Sequence, residues 1–165
     1  MILTKKEILE EIKLGNLEIK PLNKNQINEV SIDLTLDNEF RIFDKRDLIK
    51  LDSDYKKFSK VVKKKELIIQ PGDFVLGITK EKIHLPSNIA GLLEGRSRFA
   101  RLGVLIHVSA SIIKPGVNNK QVLEIKNLGN SDILLKAGTR ICQLLLMRTE
   151  SNTSYHGKFK KQDKI

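Results

Sequence analysis

The chain begins with apolar residues at helical spacing and then abandons that period. Ile8, Leu9 and Ile12 form an apolar stripe, Thr4 and Glu7 stand at the spacing of a capping box, and Leu3 and Ile8 are placed as a hydrophobic staple. Gly15 offers a stop, so one short N-terminal helix is predicted. Beyond it come short runs rich in Ile, Val, Leu and Phe, punctuated by Pro-Gly, Asn-Leu-Gly-Asn and Ala-Gly, the spacing of an antiparallel sandwich or barrel. Strands are expected at 18–19, 31–36, 39–43, 66–69, 74–80, 89–94, 104–107, 110–113, 121–127, 133–135 and 139–147. The fold class is therefore mainly β, with a single β domain over residues 1–150. Residues 151–165 are polar, lysine-rich and poor in aliphatic side chains, so this C-terminal tail, left alone, would be mobile.

Composition narrows the class. At 165 residues and 40% hydrophobic content the chain can bury one proper core and is too short for two. No apolar run approaches the roughly 18 residues of a membrane span, and the N-terminus alternates charge with Ile and Leu where a signal peptide would be apolar. A soluble cytoplasmic protein with no membrane partner is expected. Cys142, the single cysteine, permits no internal disulfide. The formal charge of +10, from 30 basic and 20 acidic residues, calls for an anionic partner, and charge alone admits nucleotide and nucleic acid equally. The basic stretch 56–65 contains one aromatic residue, Phe58, and so offers little platform for stacking bases. It reads as a solvated lysine-rich loop and strand edge.

The stretch running from Gly95 to Gly103 carries the strongest chemical signal. It places the hydroxyl of Ser97 among three guanidinium groups, Arg96, Arg98 and Arg101, behind a glycine that lets backbone approach a ligand. A short helical turn from Ser97 would aim free N–H groups and the positive dipole end at an anion, with Ser97 and Arg101 on one face. This is a phosphate-binding composition.

That motif does not stand alone. Leu105-Ile106-His107-Val108-Ser109-Ala110-Ser111-Ile112-Ile113-Lys114-Pro115-Gly116 and Gln121-Val122-Leu123-Glu124-Ile125-Lys126-Asn127 follow it. Together with Met1-Ile2-Leu3-Thr4, Ser31-Ile32-Asp33-Leu34, Gln70-Pro71-Gly72-Asp73-Phe74-Val75-Leu76-Gly77 and Ala137-Gly138-Thr139-Arg140-Ile141-Cys142-Gln143-Leu144, the chain resembles the dCTP deaminase branch of the dUTPase-like superfamily. The resemblance keeps one order over nearly the whole length. It implies a distorted β-barrel or jelly roll with a short N-terminal helix, assembled as a homotrimer whose active sites are shared between neighbouring subunits. It also implies dCTP as substrate and dUTP and dTTP as related nucleotide partners, with Mg2+ carried by the triphosphate.

Hydrolytic deamination of cytosine needs a water made nucleophilic toward C4, a proton for N3 and then for the leaving ammonia, and groups that hold the base. A zinc site is not expected: Cys142 stands alone, and His84, His107 and His156 are scattered. A route without zinc rests on a carboxylate, and Glu124 is the candidate. It lies between Leu123 and Ile125 in an apolar strand, and a carboxylate held there is a group able to take and return a proton. Spacing alone favours an outward-facing strand glutamate, and the resemblance reverses that preference. The resemblance makes it the general base, with Ser97 and Arg101 ordering the water and the pyrimidine and the Ala110 carbonyl touching the water. It further places Arg96, Arg98, Lys114, Val117, Gln143, Tyr155, Lys158 and Gln162 around the nucleotide, the last three on a tail that closes over it.

The chain departs from the family at the turn. Ile113-Lys114-Pro115-Gly116 stands where the family reads Ile-Asp-Pro-Gly, and in dUTPases and bifunctional members that aspartate positions the water attacking the phosphate. A lysine reverses the local charge and cannot serve as the same base unless its pKa falls by several units. Val117 replaces an aromatic residue, and Arg98 replaces a serine beside the phosphates. The expectation is a deaminase that releases dUTP. The alternatives are a dUTP pyrophosphatase or bifunctional enzyme, or a nucleotide- or nucleic-acid-binding barrel without catalysis.

Overall fold

The computed structural model describes residues 1–43, 48–107 and 109–165; Val108 of the 105–116 segment lies outside the described residues. The predicted helix is α1, Lys5–Lys13, and the reciprocal capping box of Thr4 and Glu7 is formed. The Thr4 N–H and hydroxyl both donate to Glu7 at 2.8 Å, which holds the Glu7 carboxyl below its ordinary pKa. Ile8 is buried, and Arg148 donates to Glu11 at 2.6 Å, fastening the helix to the barrel.

The described strands are β1 (Glu18–Lys20), β2 (Ser31–Phe43), β3 (Ser59–Lys63), β4 (Glu66–Ile69), β5 (Phe74–His84), β6 (Ile89–Gly95), β7 (Val104–Ile106), β8 (Ile112–Ile113), β9 (Asn118–Asn127), β10 (Ile133–Lys136) and β11 (Arg140–Arg148). A four-residue helix α2, Ser97–Ala100, follows β6. Along the main sheet the order is β7-β9-β5-β2-β11-β6-β8, with β1 added to β5 and β3 to β2; β4 and β10 form a separate ribbon. The pairings are antiparallel.

Two corrections follow from bulges. The expected strands 31–36 and 39–43 are one strand, because the register of β2 against β5 shifts between Leu36 and Phe40 and absorbs the polar Asp37-Asn38 without a turn. Likewise β5 runs on to His84 through a shift between Ile78 and Lys82. The sheet thereby curls into a half-barrel around Ile32, Leu34, Leu36, Phe40, Leu93, Leu123, Ile125 and Leu144, all fully buried. β3 is a strand where sequence gave a lysine-rich edge: it pairs with β2 on one side, and Val61 and its lysines face solvent.

Cys142 sits on β11 with no exposed surface. Burial pushes its thiol pKa far up, and the Glu81 and Asp33 carboxylates add to the shift, so the group stays protonated. The expected result is no reaction with Ellman's reagent in the native protein and one thiol per chain after unfolding in guanidinium.

Candidate active site

Alternation along β9 sends Leu123 and Ile125 into the core and Val122 and Glu124 to the opposite face. Glu124 lies opposite Leu76 of β5 and is half-buried in the wall of a cleft of about 500 Å³. His107 and Ser109, between β7 and β8, both bond to it. His107 takes a left-handed conformation, φ 54°, its N–H donates to the Glu124 carbonyl at 2.8 Å, and its Nε2 lies 3.0 Å from the Ala110 carbonyl. The Ser109 hydroxyl donates to the Glu124 carboxylate. His107 is 8% exposed, and its Nδ1 has no partner. The Ser109 hydroxyl thus meets the Glu124 carboxylate, and His107 links the Glu124 backbone to the Ala110 carbonyl.

The cleft is also lined by Ile113 at the end of β8, Lys114 and Val117 from the β8–β9 turn, Asn119 and Gln121 from β9, and Tyr155, Phe159 and Gln162 from the tail. The tail is docked. The Asn118 and Lys120 N–H groups donate to the Lys160 and Gln162 carbonyls, each at 2.9 Å, and Ile165 is buried on Leu76 and Ile78. Lys158 stands exposed with its Nζ 5.8 Å from the Phe159 ring centre.

The arginine motif lies elsewhere. α2 forms as its spacing predicts, and Ser97, Arg98 and Arg101 are exposed there, but none of them lines the cleft that holds Glu124. Arg96 is anchored by β2 and β11. Its Nη2 lies 3.3 Å from the Asp33 carboxylate, which is 3% exposed, and its Nη1 donates to the Arg140 carbonyl at 3.0 Å. Gln143 supports the same corner, donating to the Gly95 carbonyl at 3.2 Å and accepting from Ser31 at 3.4 Å. Asn28 donates to Asp33 at 3.1 Å, while Gln26 bridges the Asp33 carbonyl and Glu81, at 2.8 Å each. Within one chain the predicted site residues therefore fall into two groups. Glu124, Ala110, Lys114, Val117, Tyr155 and Gln162 share the cleft, and Arg96, Ser97, Arg98, Arg101 and Gln143 cluster around α2.

Sequence reasoning did not single out Asp33, Ser109, Asn119 or Gln121 as site residues. An aspartate inside the apolar run Ile32-Asp33-Leu34 was the available signal, since a buried carboxylate requires a partner. Among the described residues no three His, Cys, Asp or Glu side chains group as metal ligands would.

The curled antiparallel sheet has the dUTPase-like fold. Among solved structures, the deoxycytidine triphosphate deaminase of Agrobacterium tumefaciens matches with a TM-score of 0.68 at 18% identity, covering 88% of this chain and 47% of that one. This chain thus spans about half the length of that neighbour. A dUTPase variant of phage phi11 matches with a TM-score of 0.54 at 12% identity, over 86% and 96% of the two chains. The sequence profile of the dCTP deaminase-like family matches residues 2–149, and the chain belongs to that family. A relative from Mycolicibacterium vanbaalenii, named dCTP deaminase, dUMP-forming, is 37% identical over 156 residues, which cover 92% of this chain and 82% of the relative. One of the same name from Nocardia farcinica is 39% identical, over 92% and 78%. A relative from Halorubrum lacusprofundi, named dCTP deaminase, is 33% identical over 160 residues, 92% and 79%.

Proposed function

We propose that this protein converts dCTP and water to dUTP and ammonia. The observation that carries the reading is Glu124, set with Ala110 in the lining of the cleft and hydrogen-bonded by the Ser109 hydroxyl, in a chain of the dCTP deaminase-like family. Glu124 takes a proton from water held near the Ala110 carbonyl, and the oxygen attacks C4 of cytosine. The same carboxyl gives a proton to N3; transfer of the second water proton to the exocyclic amine releases ammonia and leaves a carbonyl at C4. The separation of Ser97 and Arg101 from the Glu124 cleft within one chain supports a homotrimer, in which Ser97 and Arg101 of one subunit serve the Glu124 of another. Arg98 and Lys158 then face the triphosphate, and Mg2+ arrives with the nucleotide as part of the substrate.

Lys114 supports dUTP as the product, because the place where the family holds an aspartate now carries a cation. A second reading, release of dUMP and pyrophosphate, draws on the names of the Mycolicibacterium and Nocardia relatives. Incubation of the purified protein with magnesium and either dCTP or dUTP, followed by anion-exchange separation, decides between them. The expected result is dUTP from dCTP, with added dUTP unchanged. Formation of dUMP and pyrophosphate from dCTP would establish the second reading, and absence of ammonia release would overturn both.

A further inference from the structure

The turn that departs from the family is also where the tail meets the barrel. Lys114 is exposed on the rim of the cleft, with its Nζ 4.9 Å from the centre of the Tyr155 ring. Among the described residues it has no ion-pair partner. The backbone around this contact is fitted closely. The Tyr155 N–H donates to the Pro115 carbonyl at 2.9 Å. Gly116 has φ +78°, and a Cβ there would stand 2.2 Å from the Ser154 hydroxyl oxygen. A Cβ on Gly157 would stand 2.1 Å from the Tyr155 hydroxyl oxygen. Two glycines therefore leave the room in which residues 154–157 settle on the turn.

We propose that Lys114 is a positioning residue that latches the C-terminal segment over the cleft through the face of Tyr155. The ring face is the negative end of the aromatic quadrupole, so an ammonium is attracted to it and a carboxylate at the same place is repelled. Lys114 thus has a task unlike that of the family's aspartate: it holds the lid and does not activate water. Its consequence for turnover rests on the proposed deaminase reading, since a latched tail brings Tyr155 and Gln162 to the nucleotide and keeps bulk water from the cytosine.

Hydrogen exchange of the nucleotide-free protein tests the latch without reference to activity. The reporters are the amides of Tyr155, Asn118 and Lys120, whose acceptors lie across the tail contact, and the reference is the core amides of Leu123 and Ile125. Lys114→Ala, Lys114→Asp and Tyr155→Leu are expected to speed exchange at the reporters about two- to fivefold, the range that an exposed cation–π contact commands. Lys114→Arg and Tyr155→Phe are expected to exchange as the parent does. Unchanged reporters in Lys114→Ala, or equal opening by Tyr155→Phe and Tyr155→Leu, would overturn the latch. With the latch confirmed, KM for dCTP is expected to rise in Lys114→Ala more than kcat falls. A parent protein that shows the exchange contrast but releases no ammonia would overturn the deaminase reading and leave the latch standing.

Discussion

Glu124→Gln is expected to lower the rate of dCTP deamination by about 10² to 10⁴, the usual contribution of a positioned general acid–base. The amide keeps the shape of the carboxyl, and its oxygen still accepts from the Ser109 hydroxyl, so the barrel and the cleft are retained. The amide nonetheless cannot take a proton from water at neutral pH. Steady-state kinetics and calorimetric binding of dCTP, measured on the same preparation, separate the two effects. Near-parent turnover in Glu124→Gln would remove this residue from the chemistry, whereas lost turnover with retained binding assigns it the proton.

Arg96→Ala is expected to lower stability by about 2 kcal/mol, seen as a shift of the urea midpoint. The cause is what remains behind: the Asp33 carboxylate is almost fully buried, and its other described side-chain donor is Asn28. Arg96 itself is 35% exposed, which places the cost below that of breaking a fully buried pair. Adding Asp33→Asn to Arg96→Ala is expected to restore part of the loss, because no charge is then stranded inside β2. If the double variant were no more stable than Arg96→Ala, the ion pair would not be what fixes the start of α2. Dissociation of the proposed trimer could mask the effect, so the midpoint is compared at two protein concentrations.

Local patterns carried much of this fold. The capping box at Thr4 and Glu7, the helical turn at Ser97 and the alternation through Glu124 are contacts between near neighbours in sequence, and each is formed. Asp37-Asn38 was harder, since polar residues between two apolar runs signal a turn, and only the shifted register against β5 shows that the strand continues. The Asp33–Arg96 pair joins β2 to the residue before α2, distant in sequence, so an aspartate in an apolar run indicates a partner without saying which. The tail was the least legible part. Its docking uses backbone carbonyls of Lys160 and Gln162 against the Asn118 and Lys120 amides of β9, and composition carries no record of which strand edge is left unpaired. The arginine motif and the Glu124 strand were legible as separate motifs, and only the folded chain shows that Ser97, Arg98 and Arg101 stay off the cleft that holds Glu124.

The buried Cys142 makes the chain chemically quiet toward thiol reagents, and that is a practical asset. A cysteine introduced at exposed His156 would be the sole thiol open to a maleimide, with no native residue to strip out first. A fluorophore or spin label placed there would report the tail directly, turning nucleotide capture into a signal that can be followed in real time.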